Sequence, residues 1–178
     1  NGSVLVAEKG NVIYQKHFGV SNYDKSTSID DNTLYELASV SKQFTAAAIL
    51  LLKQEGKLGL ADTLRKFFPE LPYSGITVHH MLTHTSGLPD YESTMTGKWD
   101  ESKVAFNPDM IKFLATEMPA IHFMPGKRWE YSNTGYAVLA SIVEKVSGQS
   151  FKDFMAVNFF QPLDMRYDSK NQNYLTAE

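Results

Sequence analysis

The chain has 178 residues, enough for one domain with a substantial core, and its 43% apolar and 21% charged fractions are those of an ordinary globular protein. A net charge of −3 with no run of Lys or Arg argues against nucleic acid as a partner, and the longest apolar run, the seven residues 46–52, is far too short to span a bilayer. No cysteine is present, which excludes a disulfide framework and thiolate metal sites but leaves the compartment open. The chain begins at Asn1 with neither a signal peptide nor an initiator Met, the pattern expected where an N-terminal piece has been processed off or left out.

In chain order, residues 3–8 and 12–16 read as strands, and Gly10-Asn11 predicts a tight turn between them. A lone hairpin is marginal in water, so these strands are expected to belong to a larger sheet, yet no further confident strand follows. Residues 19–32 are polar and read as a loop. From Ala38 to Leu52 the chain reads as a helix that is apolar nearly all the way round in its middle, as in a buried core helix, with a C-cap near Gly56. A short helical piece stopped by Pro69 and Pro72 follows, then a short helix over 77–83 closed by Ser86-Gly87-Leu88-Pro89. Residues 90–104 lack periodicity and read as a long surface loop. Asn107-Pro108 predicts an N-cap and first helical residue, with Met110, Ile111, Leu114 and Met118 on one face. After a turn at Pro125-Gly126, the positions Tyr136, Leu139, Ile142, Val143 and Val146 keep helical spacing up to Gly148. Ser150 with Asp153 predicts a capping-box-like start for a last helix rich in Phe151, Phe154, Phe159 and Phe160 and stopped by Pro162. There are no internal repeats, and the sum is one hairpin followed by a mostly helical body.

Ser39 and Lys42 are the pair around which the chain is organised. Three apart, they share one face of a helix that has begun by Ser39, and a hydroxyl is thereby held beside an amine. The free N–H groups and the dipole of a first turn favour an oxyanion at Ser39 and push the lysine toward the neutral amine that can take a hydroxyl proton. Against this, S-x-x-K arises about once by chance in a chain of this size, and taken alone the pair reads more simply as an N-cap serine with a snorkelling lysine. Tyr131-Ser132-Asn133, in a loop just before a helix, offers a phenol for proton relay and a carboxamide able to hold a substrate amide. Its plainer reading is a buried tyrosine beside an N-cap asparagine. His79, His80 and His84 lie close together, the last two at i, i+4 spacing, but without HExxH or a third ligand they read as polar residues near a helix end rather than a metal site. His84 and Ser86 make no triad, since no G-x-S-x-G elbow occurs, and Asp30 and Asp31 show no pairing of the glycosidase kind.

Taken together, the motifs resemble the serine β-lactamase and penicillin-binding-protein superfamily, above all its branch of class C β-lactamases, DD-peptidases and related esterases. Residues 37–46 resemble the nucleophile segment, Met81-Leu82-Thr83-His84-Thr85-Ser86-Gly87-Leu88-Pro89 the connecting segment, and residues 131–136 the second motif with its helix. Pro162-Leu163-Asp164-Met165 resembles a Pro-Leu-Gly-Met turn, with Asp164 in place of the usual Gly. The resemblance implies an α/β (α+β) β-lactamase/transpeptidase-like fold, seen here as a hairpin over residues 1–20 and a helical region over 33–178. A third motif, Lys or His, then Ser or Thr, then Gly, would follow Tyr131 by a long interval. The chain ends first, which implies one partial domain, roughly the N-terminal half, without the C-terminal strands of the sheet. His84-Thr85-Ser86-Gly87 is not that motif, having one residue too many and lying between the other two. By the same resemblance Ser39 is the nucleophile, Lys42 and Tyr131 move its proton, Asn133 positions substrate, and the Ser39 N–H supplies one oxyanion donor. A small-molecule or peptide substrate is implied: a β-lactam, a D-amino-acid peptide or an ester. Neither cofactor nor metal is required, the expected location is the periplasm, cell envelope or extracellular space, and the oligomeric state is left open. The rival expectation is a non-catalytic module that binds peptidoglycan peptides or a partner, or a piece inactive without its C-terminal half.

Overall fold

The computed structural model describes residues 1–100 and 102–167, and it divides after Glu36 into two units. In the first, strands β1 (Gly2–Glu8) and β2 (Asn11–Phe18) pair antiparallel, with Ser3 opposite His17 and an irregularity between Val6 and Ala7. The turn is centred on Lys9 and Gly10, both at positive φ (51° and 81°), one residue earlier than Gly10-Asn11; a primed turn needs positive φ at both central positions, and Asn11 is drawn into pairing with Glu8. Residues 19–32 are not all loop. They contain a second small hairpin, β3 (Val20–Asn22) with β4 (Thr27–Ser28), whose strands are too short to show alternation.

The second unit is helical. A single 3₁₀ turn (Ala38–Ser41) leads into α1 (Lys42–Gln54), followed by α2 (Leu64–Phe67), α3 (Val78–Leu82), α4 (Tyr91–Met95), α5 (Asn107–Glu117), α6 (Asn133–Ser147) and α7 (Phe151–Met155), which runs on as a π turn over Ala156–Phe160. Helix α6 is the axis of this unit: every residue from Thr134 to Val143 is buried, and α1, α3, α5 and α7 pack against it. Leu52, Leu64, Ile76, Met81, Met110, Leu114, Leu139 and Ile142 lose nearly all contact with solvent in the core so formed.

Several expectations are corrected. Helix α1 is buried along one stripe, Lys42, Thr45, Ala48, Ile49 and Leu52, while Leu50 is 49% exposed; an apolar run of two turns faces every direction, and α6 covers one side of it. Residues 90–104 hold α4, which Asp90 caps by accepting the Ser93 N–H at 2.9 Å and whose Tyr91 and Met95 are buried; one turn is too short to show a period. Phe106, not Asn107, precedes the first residue of α5, and its N–H is taken by Asp109 Oδ2 at 3.0 Å. Asn107 is then free to bury its side chain and donate to the Ala137 carbonyl at 3.3 Å. Met118 leaves the apolar face because it ends α5 in the left-handed region (φ 47°) and is exposed. At the C-terminal side α6 is capped at Gly148 (φ 72°) and Ser150 accepts the Asp153 N–H at 3.1 Å ahead of α7, as the sequence predicts, although α7 gives way to the π turn at Ala156 instead of running regularly to Pro162. Asp164 takes φ 51°, a value that glycine adopts freely and aspartate tolerates, so the turn after Pro162 forms without the glycine.

Candidate active site

Ser39 does not lie in α1 itself. It sits in the 3₁₀ turn ahead of it, where Val40 N–H reaches the Leu37 carbonyl at 3.0 Å and Ala38 takes a φ of 44°. With three residues per turn, a 3₁₀ segment stacks residue i directly over i+3, so Ser39 eclipses Lys42 more closely than an α-helix would allow. Lys42 Nζ donates to Ser39 Oγ at 3.1 Å. Ser39 is exposed while Lys42 is buried, so the hydroxyl faces outward over an amine shielded from water.

The 131–133 segment completes the group across the fold. The Tyr131 hydroxyl donates to Ser39 Oγ at 2.6 Å, and Lys42 Nζ also donates to Asn133 Oδ1 at 2.8 Å. Lys42 Nζ lies 4.8 Å from the Tyr131 ring centroid and 5.8 Å from that of Tyr136, so aromatic faces supply the rest of its setting. Ser132, rather than Asn133, caps α6, its Oγ accepting the Gly135 N–H at 3.0 Å. Asn133 thereby becomes the first helical residue, and its carboxamide is free for Lys42. Tyr131 is half exposed rather than buried. Burial of the Tyr131 phenol pushes its pKa up, but hydrogen bonding with Lys42 and Ser39 and the Lys42 charge outweigh it, and the net shift is downward from its ordinary value. Burial, with the Tyr131 charge added, raises that of Tyr136, whose hydroxyl donates to the Leu82 carbonyl at 3.0 Å.

A strap of residues 82–91 fixes the 122–136 segment. Besides the Tyr136–Leu82 bond, the Glu130 N–H reaches the His84 carbonyl at 2.9 Å, Gly126 N–H the Thr85 carbonyl at 2.8 Å, and His122 N–H the Gly87 carbonyl at 2.8 Å. Buried Thr134 donates to the Pro89 carbonyl at 2.8 Å and accepts the Tyr91 N–H at 2.9 Å. Gly87 has φ 71°, and a Cβ there would meet the Phe123 carbonyl oxygen at 2.1 Å, so only glycine lets the two segments come together. The role of this strap is not visible in the spacing of its residues, each of which acts through one or two bonds to distant chain. The histidines serve separate ends: His80 closes the capping box of α3 with Thr77, at 3.2 Å in each direction, and His84 turns toward Tyr131. Among the described residues no group of three or more His, Cys, Asp or Glu is placed to hold a metal.

A model of the Beta-lactamase family matches residues 1–169. Penicillin-binding protein 4* of Bacillus subtilis (strain 168) is 44% identical over 165 residues, which make up 93% of this chain and 37% of that protein. The octameric penicillin-binding protein homologue from Pyrococcus abyssi superposes with a TM-score of 0.79 at 35% identity, over 92% of this chain and 39% of that one. D-amino acid amidase from Ochrobactrum anthropi SV3, solved with L-phenylalanine, gives a TM-score of 0.73 at 29% identity, over 92% of this chain and 46% of that one. The chain thus spans little more than a third of the length of the Bacillus relative and less than half of either structure. The hairpin and helical body are those of the β-lactamase/transpeptidase-like fold. On the family match and the level of identity, the chain belongs to the serine β-lactamase and penicillin-binding-protein superfamily.

Proposed function

We propose that the intact protein is a serine hydrolase that works through an acyl-enzyme on an amide, β-lactam or ester carbonyl. The observation that carries this reading is Ser39 Oγ held between Lys42 Nζ at 3.1 Å and the Tyr131 hydroxyl at 2.6 Å, with Asn133 Oδ1 fixing the far side of Lys42 at 2.8 Å. The lowered pKa of Tyr131 eases formation of its phenolate, and once it forms, the short bond reverses and Ser39 becomes the donor. Ser39 Oγ then attacks the carbonyl carbon as its proton passes to the phenolate, and the Ser39 backbone N–H stabilises the oxyanion. Collapse expels the leaving group, which takes the proton from Tyr131, with Lys42 offsetting the charge throughout. Water attacking the acyl-serine by the reverse route frees Ser39. Because Asn133 spends its oxygen on Lys42, its NH₂ group is left to donate to the acyl-side amide of a substrate. The cycle calls on no cofactor.

β-Lactamase, DD-peptidase and esterase chemistry share this acylation half and differ in how fast water removes the acyl group. The expected site of action remains the periplasm, cell envelope or extracellular space; no described helix is long and apolar enough to cross a membrane. Turnover of an activated ester and of a penicillin by the intact protein tests the proposal. Ser39→Ala is expected to bring both to background, and turnover retained by that variant would overturn it.

A further inference from the structure

We propose that His84 is the positioning residue that sets Tyr131 against Ser39, and that it does so as a neutral imidazole accepting at Nδ1. The proposal rests on the serine-hydrolase reading above. Two bonds come from the backbone on either side of Tyr131: the His84 carbonyl accepts the Glu130 N–H at 2.9 Å, and His84 Nδ1 accepts the Ser132 N–H at 3.1 Å. The imidazole also stacks on the Tyr131 ring, with centroids 4.6 Å apart and planes 29° from parallel. One residue therefore holds the amides before and after Tyr131 as well as the face of its ring. With those three points fixed, little freedom remains except the rotation that carries the phenol to within 2.6 Å of Ser39 Oγ.

His84 is built for this task at a cost to its own backbone. It takes φ 57°, a left-handed value rare outside glycine but tolerated by histidine and asparagine, and that value lets one residue turn its carbonyl and its ring toward the same segment. Acceptance at Nδ1 requires the proton on Nε2, hence a neutral ring. The surroundings agree: burial first, and the Lys42 charge second, hold the His84 pKa below its ordinary value. The titratable groups packed around the ring are Lys42 of α1, Tyr131, and Tyr136 of α6, whose ring lies 5.1 Å from it, with the Trp129 indole at 6.0 Å. Protonation would remove the acceptor from Ser132 and set a second cation near Lys42. The ring touches no reacting atom; its effect passes through Tyr131.

The test is kcat/KM and its pH profile for the intact protein with an activated ester. His84→Phe keeps a stacking ring and loses the acceptor, while His84→Asn keeps an acceptor at the matching position and tolerates the left-handed backbone. His84→Phe is expected to lower kcat/KM by about 10- to 100-fold, as for a misplaced catalytic group, and to move the rising limb that reports Tyr131 to higher pH. His84→Asn should recover most of that loss, to within about fivefold of the parent. In a Tyr131→Phe background the step from His84 to Phe should cost less than about threefold, because the group it positions is gone. Equal losses with and without the Tyr131 hydroxyl, or an unmoved rising limb, would reduce His84 to a purely structural residue and overturn the proposal. A His84→Phe protein as active as its parent, beside an inactive Ser39→Ala, would sink this proposal alone. An active Ser39→Ala would sink the hydrolase reading beneath it.

Discussion

The two halves of the site are placed by different means. Ser39 and Lys42 are three residues apart on one tight turn, so local backbone geometry alone brings Oγ and Nζ together. Tyr131 and Asn133 meet these partners from 92 and 91 residues away, and they do so only because the strap of residues 82–91 holds the chain on both sides of them. A local pair resists damage done elsewhere. A strapped pair gives way wherever one of its ties is cut, so substitutions distant from Ser39 should strike Tyr131 and spare Lys42.

The largest effect should come from the local half. Lys42→Ala removes the amine that touches Ser39 and Asn133 together, and the single-turnover acylation rate is expected to fall by about 10³-fold or more; a loss under tenfold would contradict the part given to the Lys42 charge in the proposed cycle. Next comes Gly87→Ala in the strap. With φ 71° and a Cβ 2.1 Å from the Phe123 carbonyl oxygen, it should cost about 2 kcal/mol or more in urea unfolding. Thr134→Val, which cuts the ties to Pro89 and Tyr91 while keeping the shape, should cost about 1–2 kcal/mol. In both strap variants the rising limb of the acylation profile should move up in pH. Its sign follows from the proposed cycle, in which the Tyr131 phenolate accepts the proton: kcat/KM should rise with pH through a midpoint below the ordinary tyrosine value, and Tyr131→Phe should remove that rise.

The smallest effect lies outside both halves and serves as the control. Asp62 accepts the Gly59 N–H at 2.8 Å and Lys66 Nζ at 2.7 Å, and its pKa is lowered by the Lys66 hydrogen bond first and the Gly59 bond second. A depressed carboxylate pKa contributes stability above its unfolded value and loses it as pH falls through the folded one. Asp62→Ala should therefore cost about 1 kcal/mol near neutral pH, a figure discounted for partial exposure, and the difference should vanish in acid. Acylation by this variant should be unchanged.

The same contrast explains what the sequence could disclose. Ser39 and Lys42 announce themselves through a spacing of three, and α6 through the period of Tyr136, Leu139, Ile142 and Val143, because both signals are local in the chain. Tyr131 and Asn133 stood out through their place in a loop just before a helix and through resemblance, and not through periodicity. The segments that hold His84, Gly87 and Thr134 could be picked out, but what these residues do could not, since each does its work through contacts roughly forty residues away in the chain. The 3₁₀ turn at Ser39, the single turn of α4 and the β3–β4 hairpin escaped for a related reason: elements of two to five residues are fixed by what they pack against, and propensity alone does not hold them.

The measurement that bears most directly on the central claim is intact-mass spectrometry of the intact protein after incubation with a penicillin and, separately, with an activated ester, followed by peptide mapping. The account predicts a single acyl adduct on Ser39 that is absent from Ser39→Ala and forms more slowly in Tyr131→Phe. No adduct with either reagent, or one that maps to another residue, would contradict it.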